Sequence, residues 1–189
     1  MNNFIPTQTD IKSLIHAINF LGKDLVGAEV GIRRAESFCT ILQNCPNVKL
    51  LHGIDKWKPY DDYIKEIYDG SIAGSVSEQS VRLDRFIALN NIEFSGFAEK
   101  AIIHEGDCCD IVKTFEDNSL DFVFLDAYLT YEQILDDMVD WYRVVKPGGL
   151  FAGHDFYSNA VRMAVYAFRK LCNINSPISI FDDVFVWKK

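Results

Sequence analysis

Val26-Gly27-Ala28-Glu29-Val30-Gly31-Ile32-Arg33-Arg34-Ala35-Glu36-Ser37 sets the reading of the whole chain. An apolar strand runs into Glu29-Val30-Gly31, and a helix-forming stretch follows at once. In an open α/β sheet the ligand crevice lies beyond the carboxyl ends of the strands, and a glycine at the first turn lets the backbone come close to a ligand. Taken alone, Gly31 also reads as a tight strand-to-helix turn.

Further on, the apolar run Val48 to Ile54 ends in Asp55, 24 residues beyond Gly31. An acid at the tip of the second strand is placed to accept hydrogen bonds from ribose hydroxyls. The phosphate-binding pattern Gly-x-Gly-x-x-Gly is absent, because Ile32, Arg33, Arg34 and Ala35 follow Gly31. Nothing there cradles a pyrophosphate, so a nucleoside without phosphates, such as S-adenosylmethionine, suits the pattern better than NAD or FAD.

Composition bounds the rest. With 189 residues, 49% of them hydrophobic, the chain is long enough for one well-buried core and short for two, so a single domain over 1–189 is expected. A net charge of −8, with no Lys/Arg cluster beyond pairs such as Arg33-Arg34 and Lys188-Lys189, argues against nucleic acid and for a small molecule as partner. No apolar run reaches the ~20 residues that span a bilayer, and Met1 to Asp10 lacks the pattern of a signal peptide. No membrane association and a cytoplasmic location are therefore expected. The five cysteines are odd in number and lack Cys-x-x-Cys spacing, which points to reduced thiols.

Strand and helix signals alternate along the chain. An amphipathic helix, Asp10 to Phe20 within the segment 1–24, carries Ile11, Leu14, Ile15 and Ile18 on one face and is expected to cap the sheet. Strand Leu25 to Gly31, helix Ala35 to Gln43 and strand Val48 to Asp55 follow; their near-continuous apolar character marks strands covered on both faces. A helix around Glu78 to Ile92 leads into strand Ala101 to His104, and strand Leu120 to Leu125 ends at Asp126. Helix Tyr131 to Val144 is stopped by Lys146-Pro147-Gly148-Gly149, and strand Leu150 to Gly153 ends at His154-Asp155. After helix Asn159 to Leu171, the runs Pro177 to Phe181 and Val184 to Trp187 flank Asp182-Asp183 as a hairpin with a two-residue turn. Between Trp57 and Ser80 the pattern loosens around Tyr60, Tyr63 and Tyr68. This insertion, 57–80, reads either as a lid over the site or as an ordinary surface connection.

These residues resemble the class I S-adenosylmethionine-dependent methyltransferases, in particular their small O-methyltransferase-like branch. The resemblance spans about Leu25 to Trp187. It rests on Glu29-Val30-Gly31 with Glu36-Ser37, Ile54-Asp55-Lys56-Trp57-Lys58-Pro59-Tyr60, Glu105-Gly106-Asp107-Cys108, Phe124-Leu125-Asp126-Ala127 with Tyr131-Glu132, and Lys146-Pro147-Gly148-Gly149 before Gly153-His154-Asp155. It implies a three-layer, Rossmann-like α/β sandwich with a mostly parallel seven-stranded sheet and an antiparallel C-terminal hairpin strand.

Carried over by position, the resemblance implies that Glu29, Gly31 and Ser37 line the methionine part of the cofactor and that Asp55 holds the ribose. Trp57, beside Lys56, would offer a flat face to adenine, Asp107 would accept from its amine and Cys108 would lie at its edge. Asp107 reads equally as a helix cap, and Trp57 as plain core. Asp126, His154 and Asp155 fall where cation-dependent relatives bind a divalent metal, and an O,O,N set of this kind suits Mg, Mn or a softer ion. A second reading gives Asp126 to the cofactor's amino group and makes His154 a general base, since an imidazole titrates near neutral pH. The plain reading makes His154 a hydrogen-bonded strand-end residue.

Two positions depart from the family pattern: Leu129 stands where many relatives carry His or Lys, and Ala35 where they carry glycine. The reading is thus a methyltransferase acting on a small molecule, at oxygen, with Asp126, His154 and Asp155 carrying the reaction. The alternatives are a noncatalytic cofactor-binding module, for which Leu129 argues, and a nucleotide-dependent oxidoreductase with a degenerate glycine loop. The N-terminal helix and the edge hairpin are candidate homodimer contacts.

Overall fold

The computed structural model describes residues 10–59, 77–127 and 130–189. In chain order the elements are α1 (Lys12–Asn19), β1 (Leu25–Val30), α2 (Glu36–Asn44), β2 (Val48–Asp55), α3 (Glu78–Ser95), β3 (Ala101–Glu105), α4 (Cys108–Ile111), β4 (Leu120–Leu125), α5 (Tyr131–Val144), β5 (Val145–Gly153), α6 (Asn159–Leu171), β6 (Ser179–Phe181) and β7 (Val184–Lys188). The strands form one seven-stranded sheet in the order β3-β2-β1-β4-β5-β7-β6. β3, β2, β1, β4 and β5 run parallel, while β7 pairs antiparallel with both β5 and β6. This is the expected architecture, antiparallel hairpin included. The hairpin turn is Asp182-Asp183, whose φ values of 52° and 65° are those a tight two-residue turn demands.

Strand composition explains the three layers. Side chains alternate across a strand, and here both sets are apolar, so both faces need a cover. On β4, Phe122 and Phe124 join Ile11, Leu14, Phe38 and Ala88 beneath α1, α2 and α3. Val123, between them, joins Trp141, Phe151, Phe168 and Trp187 beneath α5 and α6. Full burial of an aromatic or aliphatic side chain is worth about 1.5–3 kcal/mol, so the two cores hold the sheet from both sides. The N-terminal helix caps the first of these faces, with Leu14 and Ile18 buried.

Local signals set the helix limits. α3 starts with a reciprocal Ser77/Ser80 capping box and ends at Gly96, with φ 80°. α5 starts with the same device built from Thr130 and Gln133. One boundary differs from expectation. Lys146-Pro147-Gly148-Gly149 does not precede β5 but belongs to it, because Leu120 pairs with Val145 and Phe122 with Leu150, so the four residues form a bulge opposite Asp121. Lys146 Nζ, 2.7 Å from Asp121 Oδ1, fastens the bulge. The proposed lid is described only at its ends, 57–59 and 77–80; residues 60–76 lie outside the described residues, as do Leu129 and residues 1–9.

Candidate active site

The sheet order reverses at β1, which has β2 on one side and β4 on the other, and the crevice at such a switch point is where open α/β sheets bind ligands. Register lines up the tips: Glu29 pairs with Phe124, Val30 with Leu125, and Leu125 with Gly153. Asp126 and His154 are the next residues of their chains, so Glu29, Asp126 and His154 converge. Main-chain bonds lock the tips together, Asp126 N to Val30 O at 2.8 Å and His154 N to Leu125 O at 3.0 Å.

Gly31 is required by this convergence. Its φ is +92°, and a Cβ there would lie 2.5 Å from Asp126 O and 2.7 Å from Ala127 N. Only a glycine lets the β1 and β4 loops pass so closely. The turn reading and the close-approach reading are thus both true of Gly31, and what approaches it is the protein's own backbone.

On the β1 and β2 side, Glu29 is fully buried. Ser37 Oγ donates to its Oε1, whereas Oε2 has no hydrogen-bond partner. Burial pushes the Glu29 carboxyl well above the usual range; the Ser37 bond and His154 pull against it, and Asp126 adds to it. A buried oxygen with no partner is costly, and a cationic amine beside it would remove the cost. Asp55 accepts from Arg33 N on Oδ2 and from Trp57 N on Oδ1, both at 2.8 Å. Burial raises its carboxyl and these two bonds oppose the rise. Each oxygen keeps one lone pair for a further donor, as ribose recognition needs.

The adenine side differs in part from what the resemblance implies. Trp57 is 8% exposed, belongs to the core under α2 and α3, and donates its Nε1 hydrogen to Arg33 O at 2.8 Å. That is the core reading of Trp57, and it leaves little ring face for a base. Asp107 occupies the cap position of α4 but makes no capping bond. Its half-exposed carboxylate lies 3.9 Å from Lys56 Nζ. Cys108 is turned inward instead, Sγ 3.1 Å from Asp137 Oδ1. Burial, joined by repulsion from neighbouring acids, raises Asp137 to about 6, although the bond from Cys108 opposes it.

On the β4 and β5 side, one imidazole stands among three carboxylates. His154 Nδ1 lies 3.4 Å from Asp126 Oδ1 and 3.2 Å from Asp155 Oδ1, and Nε2 lies 3.2 Å from Asp10 Oδ2. Burial alone would lower His154, but the hydrogen bonds and charges of Asp126 and Asp155 outweigh it and push the ring up to about 11. Asp126 is raised by burial and drawn back by His154. These partners favour the protonated ring, a donor and a positive charge, over the neutral imidazole of a general base. Facing ligand atoms of Asp126, His154 and Asp155 all lie within 4.8 Å of one another. A cleft beside them is walled by Ile134, Met138, Val161 and Phe185, with Asp137 at its edge.

Three acids, two beside the crevice and one on α3, escape sequence reasoning. Asp84 and Asp137 each leave a signal, an acid on the buried stripe of an amphipathic helix: Asp84 falls between Val81 and Ala88, and Asp137 next to Met138 and one turn from Ile134. Asp10 leaves none, since its contact spans 144 residues.

The reversed strand order, the missing phosphate loop and the acid-lined tips define a class I methyltransferase, an S-adenosylmethionine-dependent enzyme. Residues 28–156 match the model of the methyltransferase domain family, and the chain belongs to that family. The oxidoreductase reading is thereby set aside. The fold is also that of several solved structures. The O-methyltransferase NovP is similar over 95% of this chain and 78% of its own, with 20% identity and a TM-score of 0.69. An O-methyltransferase from Bacillus cereus, solved with S-adenosylhomocysteine, is 14% identical over 97% of this chain and 82% of its own, with a TM-score of 0.66. TomG of Streptomyces achromogenes, an O-methyltransferase of tomaymycin synthesis solved with S-adenosylmethionine, is 14% identical over 98% and 82%, with a TM-score of 0.65. No curated protein sequence matches the chain.

Proposed function

We propose that this enzyme moves the methyl group of S-adenosylmethionine to a hydroxyl oxygen of a small, hydroxylated molecule. The observation that carries the reading is the meeting, at one switch point, of a buried Glu29 with an unpartnered oxygen and a strand-tip cluster of Asp126, His154 and Asp155. The similar structures support it, since those quoted are O-methyltransferases and two were solved with this cofactor or its product. Glu29 and Asp126 receive the cofactor's ammonium, Gly31 and Ser37 shape the space around the methionine part, Asp55 takes the ribose hydroxyls, and Asp107 with Lys56 borders the base.

Methyl transfer from a sulfonium is an in-line displacement, so alignment of the acceptor oxygen is the larger part of catalysis. The cleft beside the cluster, with Ile134, Met138, Val161 and Phe185 in its lining, is the side from which we read the acceptor to approach. The His154 imidazolium donates to the acceptor oxygen and stabilises its developing negative charge, and the Asp155 carboxylate, the more exposed of its two Nδ1 partners, accepts the hydroxyl proton. In place of that arrangement, Asp126, Asp155 and a neutral His154 would form a donor set for a divalent ion, with two carboxylates and one imidazole. When bound, such an ion supplies Lewis-acid polarisation of the acceptor oxygen.

No helix among the described residues is long and apolar enough to cross a membrane. The acidic charge supports a small molecule rather than nucleic acid as partner, and the five free cysteines support a reducing, cytoplasmic setting. We read residues 1–189 as one domain, and the N-terminal helix and the edge hairpin, where Phe20 and Phe181 are 78% and 62% exposed, as homodimer contacts.

Calorimetry with S-adenosylmethionine and S-adenosylhomocysteine, with and without Mg or Mn, tests the cofactor. Radiolabelled methyl transfer to a panel of catechols, sugars and amines tests the acceptor class. Labelled oxygen ethers are the expected product; transfer to amines alone, or no cofactor binding, overturns the proposal.

A further inference from the structure

Asp84 is 1% exposed, lies on α3 and is no part of the crevice described above. Arg34 Nε lies 2.7 Å from its Oδ1 and Arg33 Nε 3.4 Å from its Oδ2. Burying a carboxylate costs several kcal/mol of lost hydration, about what a good ion pair returns, so such a group is kept for what it holds in place. Both arginines belong to one loop, the connection from β1 to α2. That loop has no glycine after Gly31, yet Arg33 and Ala35 adopt φ of 45° and 61°, a region in which a side chain is strained. Two further bonds grip the same turn: Asn91 Nδ2 donates to Arg34 O at 2.9 Å, and Trp57 Nε1 to Arg33 O at 2.8 Å. In this shape the Arg33 N–H points at Asp55 Oδ2.

We infer that Asp84 is a positioning residue for the cofactor: through Arg33 and Arg34 it holds a glycine-poor loop in the left-handed shape that aims the Arg33 N–H at Asp55 and so fixes the ribose carboxylate. The clamp takes over what flexible glycines do elsewhere. A glycine adopts such a turn at no steric cost, whereas an Arg-Arg-Ala turn needs an outside grip, and α3 supplies it. The inference rests on the S-adenosylmethionine reading of the crevice.

The experiment is calorimetric titration of S-adenosylhomocysteine into the wild type, Asp84→Asn, Arg34→Gln and the double variant Asp84→Asn with Ala35→Gly, each checked for folding by circular dichroism. Asp84→Asn and Arg34→Gln are expected to weaken binding about tenfold, the scale of a modest misplacement of a binding group. Adding Ala35→Gly, which relieves the left-handed strain at that position, is expected to recover most of the lost affinity. Should Asp84→Asn fail to fold, Arg34→Gln, with a side chain 37% exposed, carries the same test. Unchanged affinity in both single variants, or no recovery in the double variant, overturns the inference while leaving the cofactor reading intact. Absence of binding by the wild type overturns the cofactor reading itself, and this inference with it.

Discussion

The two sides of the crevice hold their carboxylates in opposite ways. Asp55, on the β2 side, accepts from two main-chain N–H groups, one of them on the loop that buried Asp84 grips. Asp126 and Asp155, on the β4 and β5 side, share one His154 ring, which Asp10 also engages. The first arrangement is fixed by the path of the backbone. The second is held by a single proton and gives way when that proton leaves. One half thus behaves as a rigid socket and the other as an electrostatic device.

The comparison can be broken at its seam. Gly31→Ala forces a Cβ to within 2.5 Å of Asp126 O at a φ of +92°. We expect a loss of about 3 kcal/mol, read as a fall in Tm of roughly 6–12 °C for a chain of this size. The socket alone is removed by Asp55→Ala. Its expected effect is a roughly hundredfold loss of S-adenosylhomocysteine affinity, about 2.7 kcal/mol, with folding retained; unchanged affinity in calorimetry would contradict the placement of the ribose.

The electrostatic half is tested by His154→Gln measured against pH. The folded-state value of His154 is raised to about 11 from an ordinary 6.5, so its stabilisation is fully present below the unfolded value and is lost as pH rises towards 11. Denaturant titrations are expected to show the variant about 2 kcal/mol less stable than the wild type near pH 6, with the gap closing towards pH 10. A gap independent of pH would show that the ring acts by packing alone.

The smallest effect lies away from the crevice. His52 Nδ1 and His104 Nε2 are 2.9 Å apart on adjacent strands, and burial, aided by His104, lowers His52 to about 4. Here the sign reverses: the unfolded chain takes the proton first, so stability falls as pH drops from 6.5 towards 4. His52→Gln is expected to flatten that acid limb by on the order of 1 kcal/mol after solvent screening, measured by urea titration between pH 4 and 7.

The fold was legible because each strand carries its burial on its face. Val48–Asp55 and Leu120–Leu125 are near-continuous apolar runs, the first ending in Asp55 and the second followed by Asp126, and α5 and α6 have the limits that capping and periodicity predict. The start of β5 was not, since Pro147-Gly148-Gly149 reads as a break while the sheet absorbs it as a bulge opposite Asp121. The tip acids were legible for a related reason: in a parallel sheet the residue after a strand faces the crevice whatever the rest of the chain does. Local pattern does not reveal what holds them. The burial of Trp57, the grip of Asp84 on Arg33 and Arg34, and the reach of Asp10 to His154 all join residues far apart in the chain.

The seam at Gly31 has a consequence for anyone who would rebuild this enzyme. Because the β1 loop clears the β4 loop by less than the width of a methyl group, neither can be exchanged alone. A transplant that imports a new first loop from a relative must bring that relative's Asp126-Ala127 segment with it. The unit of recombination in this fold is the pair of turns, although nearly a hundred residues separate them along the chain.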